Sequence, residues 1–157
     1  MIVTLRPESP QDEPFLRSLI YATMAGELGA SQWPEPMRSH LLGIQYTARR
    51  QLHRANFPEA ASYVVGADGA DAGWTVVTTM PDEIQLVEIM ILPELRGQGI
   101  GTAAIRQVLA TAAAAGKPVR LNVNVTNHAA IGLYQRLGFR RIEGDEVQHV
   151  MECPPHS

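Results

Sequence analysis

The sequence predicts an α/β (α+β) protein with a mixed central sheet of about seven strands and helices on both faces. Three observations carry that prediction. Alternating and 3.6-period apolar patterns succeed one another in the order β-α-α-β-β-β-α-β-α-β-β. The middle strands are joined as hairpins and flanked by crossover helices, which requires a sheet with both kinds of neighbour. Finally, 157 residues, 45% hydrophobic and 18% charged, suffice to enclose a core without staples. One domain over residues 1–153 is expected, with a frayed tail at 154–157.

Residues 2–6 alternate and are ended as a strand by Pro7. Ser9, Pro10, Asp12 and Glu13 form a helix entrance, with a serine cap, a first-turn proline and acids at the positive dipole end. That helix is expected to reach about Met24 and stop near Gly26. Pro34 and Pro36 interrupt the chain before a second helix at 37–55, whose stripe Met37, Leu41, Ile44, Ala48 and Leu52 is read as its buried face. Strands at 61–66 and 73–79 flank the turn residues Asp68-Gly69, and 83–92 is the longest strand. The helix 99–115 has the stripe Ile100, Ala104, Ile105, Val108 and Ala112, with Gly116 and Pro118 beyond it. A strand at 119–126, a short helix at 128–137 entered through Asn127, and a hairpin of 139–143 with 146–152 complete the chain.

Several function classes drop out. A net charge of −3 leaves no basic footprint for nucleic acid. Cys153 is the sole cysteine, so neither an internal disulfide nor a thiolate zinc site is available. No apolar run nears the roughly 18 residues of a membrane span. Residues 1–6 resemble neither a signal nor a transit peptide, and a cytoplasmic setting without membrane partner is expected. His40, His53, His149 and His156 lack metal-like partners at helical spacing and His128 reads as solvated, so no metal is expected.

The chemistry concentrates after strand 83–92. Pro93-Glu94-Leu95-Arg96-Gly97-Gln98-Gly99-Ile100-Gly101 opens a helix, and glycines at 97, 99 and 101 let main-chain N–H groups approach one point. The helix start adds unpaired donors and about half a positive charge, and Arg96 adds a full one. That is an anion cradle suited to a pyrophosphate. It lacks the Gly-Lys-Ser/Thr ending of a nucleoside-triphosphate loop and the spacing of the dinucleotide fingerprint. Farther on, Asn127 and Tyr134 share a short helix whose Ala130, Leu133, Tyr134 and Leu137 form one face.

The pair of motifs Arg96-x-x-Gly99-x-Gly101 and Asn127-x-x-Ala130-x-x-Leu133-Tyr134-x-x-x-Gly138-Phe139 resembles the two signatures of the GNAT superfamily of acyl-CoA N-acyltransferases. The resemblance is close over residues 84–143. It implies a mostly antiparallel sheet splayed between strands 4 and 5, with acetyl-CoA as co-substrate and a primary amine as acceptor. Backbone of Met90, Ile91 and Leu92 would then hold the pantetheine arm. Main-chain N–H groups of Arg96, Gly97, Gln98, Gly99, Ile100, Gly101 and Thr102 would hold the pyrophosphate, and Asn127 would touch the arm. Tyr134 would protonate the departing sulfur. The acceptor would be a small molecule or a peptide amine, and small members of the family are often homodimers.

Ile84, Leu86, Glu88, Met90 and Leu92 are expected to share one strand face, leaving Glu88 as a carboxylate among apolar neighbours, an environment that turns such a group toward base duty. Its plainer role is an ion-pair partner or a substrate clamp. The position at which some relatives carry a carboxylate on the next strand is Asn122, which cannot accept a proton. Trp33 is expected to line the acceptor pocket, with Tyr21, Gln45 and Tyr46 as weaker candidates. Cys153 lies beyond both motifs and reads as inert. The alternative from another class is a non-catalytic acyl-CoA-binding sensor or structural subunit.

Overall fold

Residues 1–155 are described by a computed structural model; His156 and Ser157, the end of the expected tail, lie outside the described residues. The chain runs through β1 (Val3–Pro7), α1 (Glu13–Leu28), α2 (Met37–Asn56), β2 (Ala61–Ala67), β3 (Ala70–Thr79) and β4 (Ile84–Ile91). It continues through α3 (Ile100–Ala114), β5 (Val119–Asn124), α4 (His128–Arg136), β6 (Arg140–Gly144) and β7 (Gln148–Cys153). Seven strands form one sheet in the order β1-β2-β3-β4-β5-β7-β6. Every neighbouring pair is antiparallel except β4 and β5, so the mixed, mostly antiparallel sheet is as expected.

The helices take opposite sides. Leu16, Leu19, Ile20 and Met24 of α1 and Leu42 and Tyr46 of α2 pack with Trp74, Val76 and Met90 on one face. Ile105, Val108 and Ala112 of α3 and Tyr134 of α4 pack with Ile84, Leu86, Leu121, Val123 and Met151 on the other. The entrance to α1 works as read: Ser9 and Asp12 form a capping box across a 3-10 turn at Pro10–Asp12. The helix passes Gly26 and ends at Gly29, which adopts φ 66°, a left-handed conformation in which a Cβ would be strained.

Two expectations about faces are overturned. The α2 stripe Met37, Leu41, Ile44 and Leu52 faces solvent, each residue at least 38% exposed. The side turned to the sheet is Leu42, Tyr46, Arg49 and His53, whose polar members hid it from a hydrophobicity pattern. On β4, Val76 pairs with Glu88 while Val77 pairs with Leu86, so Val87 is an extra, bulged residue. The bulge reverses the strand's parity. Ile84 and Leu86 belong to the α3/α4 core, whereas Val87, Met90 and Leu92 belong to the α1/α2 core. Glu88 therefore faces α2, not the side of Ile84 and Leu86.

Candidate active site

β4 and β5 pair only at Ile84–Val119 and Gln85–Arg120. The narrow end is pinned by the Ile84 N–H donating to the Pro118 carbonyl at 2.9 Å and by Lys117 Nζ donating to the Met80 carbonyl at 2.9 Å. Beyond it the strands diverge, and roughly 20 Å of β4, at about 3.3 Å per residue, is left without a neighbour on that side. This wedge offers an unpaired strand edge to any extended ligand.

The loop from β4 into α3 closes the wide end. The Arg96 N–H still donates to Pro93, at 3.3 Å, and the next main-chain donation is from Ala103 to Gly99, at 3.0 Å. Between them the N–H groups of Gly97, Gln98, Gly99, Ile100, Gly101 and Thr102 bond to none of the described residues. Gly97 and Gly99 hold φ 77° and 84°, which turns successive amides the same way. Gly101 is helical, and a Cβ on it would make only ordinary contact with Ile91, at 3.6 Å. Arg96 Nε donates to the Ile91 carbonyl at 3.1 Å, tying the guanidinium to the end of β4.

Of the three residues expected to present backbone to the wedge, one does. The Met90 carbonyl lies over Gly73 of β3, where an added Cβ would stand 2.2 Å away. The Leu92 N–H donates to the Ala72 carbonyl at 2.9 Å. Both point away from the wedge, so alternation leaves Ile91 and Ile89 facing it. No local sequence pattern marks Ile89, because its orientation depends on the bulge. Thr75, likewise unmarked, fixes that bulge: its buried hydroxyl donates to the Glu88 carbonyl at 2.8 Å.

Tyr134 is 8% exposed, packs on Phe139, and its hydroxyl bonds to none of the described residues. Burial pushes this phenol up to about 12, with the Glu88 charge adding to the effect. The Glu88 charge thus bears on Tyr134 although the two side chains belong to opposite faces of the sheet. Asn127 caps α4, its Oδ1 accepting from the Ala130 N–H at 3.2 Å. Asn122 is exposed on the opposite side of β5 from Leu121 and Val123.

Glu88 is engaged on both oxygens. Arg49 Nη2 lies 3.3 Å from Oε1 and His53 Nε2 lies 3.1 Å from Oε2. Both partners fall on the 42-46-49-53 stripe of α2, and no motif marks either of them. The His53 Nδ1 is buried without a partner among the described residues. Trp33 packs half-buried in the apolar cluster that also holds Met90 and Leu92. Tyr46 is committed to structure, since its hydroxyl donates to Glu13 at 2.7 Å and burial raises it to about 12. Tyr21 packs edge-on against Tyr46, and Gln45 is exposed. Cys153 is buried, and that burial pushes its thiol up. Among the described residues there is no cluster of three or more metal-ligating side chains, and no helix is long and apolar enough to cross a membrane.

The family model for the acetyltransferase (GNAT) family matches residues 27–139. The chain belongs to the GNAT acetyltransferase family. A Bacillus subtilis (strain 168) protein provisionally named a ribosomal protein bS18-alanine N-acetyltransferase is 33% identical over 84 residues, 53% of this chain and 56% of that protein. An uncharacterized N-acetyltransferase of Methanocaldococcus jannaschii is 38% identical over 80 residues, 50% of this chain and 35% of that protein. The matches thus span about half or less of either relative. Among solved structures, the PaiA N-acetyltransferase of Thermoplasma acidophilum in complex with coenzyme A superposes with TM-score 0.75 at 18% identity, covering 98% of this chain and 99% of that one. The Escherichia coli ribosomal-protein-S18-alanine N-acetyltransferase gives TM-score 0.70 at 19% identity, covering 99% and 96%. At those identities the likeness establishes the GNAT fold.

Proposed function

We propose that this GNAT member, as a single domain over residues 1–153, transfers the acetyl group of acetyl-CoA to a primary amine by direct attack in a ternary complex. The observation that carries the reading is the meeting of the β4–β5 wedge with unbonded amides at Gly97 to Thr102. An extended arm fits the wedge by strand addition, and a diphosphate suits donors backed by a helix start and Arg96. Acetyl-CoA supplies the activated acyl group, held as a thioester.

The chain's own groups divide the remaining work. The backbone of Ile89 and Ile91 orients the arm along the strand edge, and Asn127 stands beside its path. Tyr134, protonated throughout the physiological range, donates a hydrogen bond to the sulfur as its bond to carbon breaks. Glu88 takes the proton from the attacking amine, directly or through a water, while Arg49 and His53 fix its carboxylate in place. No enzyme nucleophile is used, so Cys153 has no part.

One observation favours a second reading, a non-catalytic acyl-CoA sensor: Glu88 is already engaged by two basic side chains. Calorimetry with acetyl-CoA, followed by thiol release across an amine panel, separates the two. Binding with thiol release supports transfer, and binding without release from any amine supports the sensor. A homodimer is part of the proposal, with exposed Leu41, Ile44 and Leu52 as the face a second copy would cover. Sedimentation over a range of concentrations tests it. A soluble cytoplasmic setting, without nucleic acid or membrane, completes the reading.

A further inference from the structure

On the α1/α2 face, beside Glu88, lies a cavity of about 290 Å³. That is the small end of the roughly 300–1,000 Å³ range of ligand pockets, and suits a small molecule better than a polypeptide. Phe57, Pro58 and Ala60 give it apolar walls above the buried Trp74, and Glu8, Arg50, His53 and Arg54 give it charge. The Trp74 ring is held rigidly: its indole N–H donates to Ser62 Oγ at 2.7 Å, and the Arg50 guanidinium lies over it at 5.3 Å.

The charges are not balanced. Among the described residues Glu8 is the only carboxylate in the lining, and it is taken by Arg50 Nη2 at 2.8 Å and by the Ser62 hydroxyl. Glu88, next to the cavity, is taken by Arg49 and His53. Arg54 makes no ion pair with the described residues. The buried Nδ1 of His53 has no partner either, although the ring tilts against Trp74 at 5.8 Å and lines the cavity. The cavity thus presents spare cationic and polar groups and no spare acid. Polyamines and other polycations find nothing to pair with there, and a carboxylate finds Arg54.

We infer that the acceptor is a carboxylate-bearing amine of the amino-acid class with an apolar or aromatic body. Its carboxylate sits at Arg54, its body lies against Phe57 and Pro58 at the rim, and its amine is directed toward Glu88. This rests on the acetyl-transfer reading: the acetyl carbon passes from sulfur to the amine nitrogen, and the amine's proton ends on the released thiol. Arg54 and His53 act here as specificity residues and take no part in bond breaking.

The test compares L-phenylalanine with phenethylamine, which lacks only the carboxylate, and with spermidine. For each, kcat/KM is measured by thiol release in the full chain and in Arg54→Gln, with acetyl-CoA affinity measured alongside by calorimetry. L-Phenylalanine is expected to exceed phenethylamine by about tenfold or more, the scale of one charge-assisted hydrogen bond. Arg54→Gln should bring that ratio near one while acetyl-CoA affinity holds. The variant separates recognition from the carboxylate's own effect on amine basicity, which the protein does not alter. Equal or better use of phenethylamine or spermidine overturns the inference, as does a ratio unmoved by Arg54→Gln. So does the absence of turnover with L-phenylalanine when acetyl-CoA binds normally. Failure to bind acetyl-CoA at all would instead remove the underlying reading.

Discussion

Replacing Tyr134 by Phe isolates one oxygen atom. The hydroxyl bonds to none of the described residues and the ring is packed on Phe139, so its loss leaves no protein group newly unpaired. Stability should therefore change by less than about 1 kcal/mol. The effect on rate follows from acidity. At about 12, the phenol is a weaker acid than an ordinary thiol at roughly 8.5. Complete proton transfer to a finished thiolate would run uphill by about 5 kcal/mol at 1.36 kcal/mol per pH unit. Tyr134 acts instead while the bond is breaking, as a hydrogen-bond donor to sulfur that is becoming charged. One such donor is worth roughly 10²–10³ in rate. Tyr134→Phe should accordingly lower kcat by about 10²-fold and leave the Kd for acetyl-CoA within about twofold. The wild-type pH–rate profile should show no alkaline limb from this group below about pH 10, because the raised value keeps it protonated there. Thiol release at saturating acetyl-CoA measures the first quantity and calorimetry the second. Full activity in the variant, or a loss confined to acetyl-CoA affinity, would refute the assignment.

The cradle predicts a graded response to added methyl groups. Gly97→Ala and Gly99→Ala force a Cβ onto left-handed backbone, at about 1–2 kcal/mol each, and should weaken acetyl-CoA binding about tenfold. Gly101→Ala, at helical angles and in ordinary contact, should leave thermal stability unchanged or higher. On α2, at concentrations where the chain is monomeric, Ile44→Ser should shift stability by no more than about 0.5 kcal/mol, whereas Leu42→Ala should cost about 2–5 kcal/mol in urea unfolding. Equal costs would restore the apolar stripe as the buried face. Asp12 is held down to about 2, first by hydrogen bonds from Arg6 and then by the Ser9 N–H. A carboxylate depressed from 3.8 contributes stability that is complete above that value and lost as pH falls toward about 2. Asp12→Asn should flatten urea midpoints between those limits, and an unchanged acid slope would contradict the role.

Element order, both capping devices and the glycine loop were legible in the sequence, because each is written in local residue types. Asn127 and Ser9 read as caps, and Gly97 and Gly99 as a turn onto a helix, without any knowledge of the sheet. The misreadings share a physical origin. The buried stripe of α2 includes Arg49 and His53 because it faces a carboxylate, so a pattern that equates burial with hydrophobicity selects the opposite face. On β4, one inserted residue reverses parity, and nothing in Leu86-Val87-Glu88 announces the insertion. Only the pairing of Val76 and Val77 with Glu88 and Leu86 shows it. That single residue decides where Glu88 points and which backbone lines the wedge. Long-range register, not composition, carried the missing information.

The central claim is that main-chain donors from Gly97 to Thr102, at the mouth of an open strand edge, hold the carrier of an acetyl group. Titration of the full chain with acetyl-CoA in a calorimeter tests it most directly. Saturable heat at one site per chain is expected, reduced in Gly99→Ala and retained in Tyr134→Phe. No heat in the wild-type chain, or binding indifferent to Gly99→Ala, would contradict it.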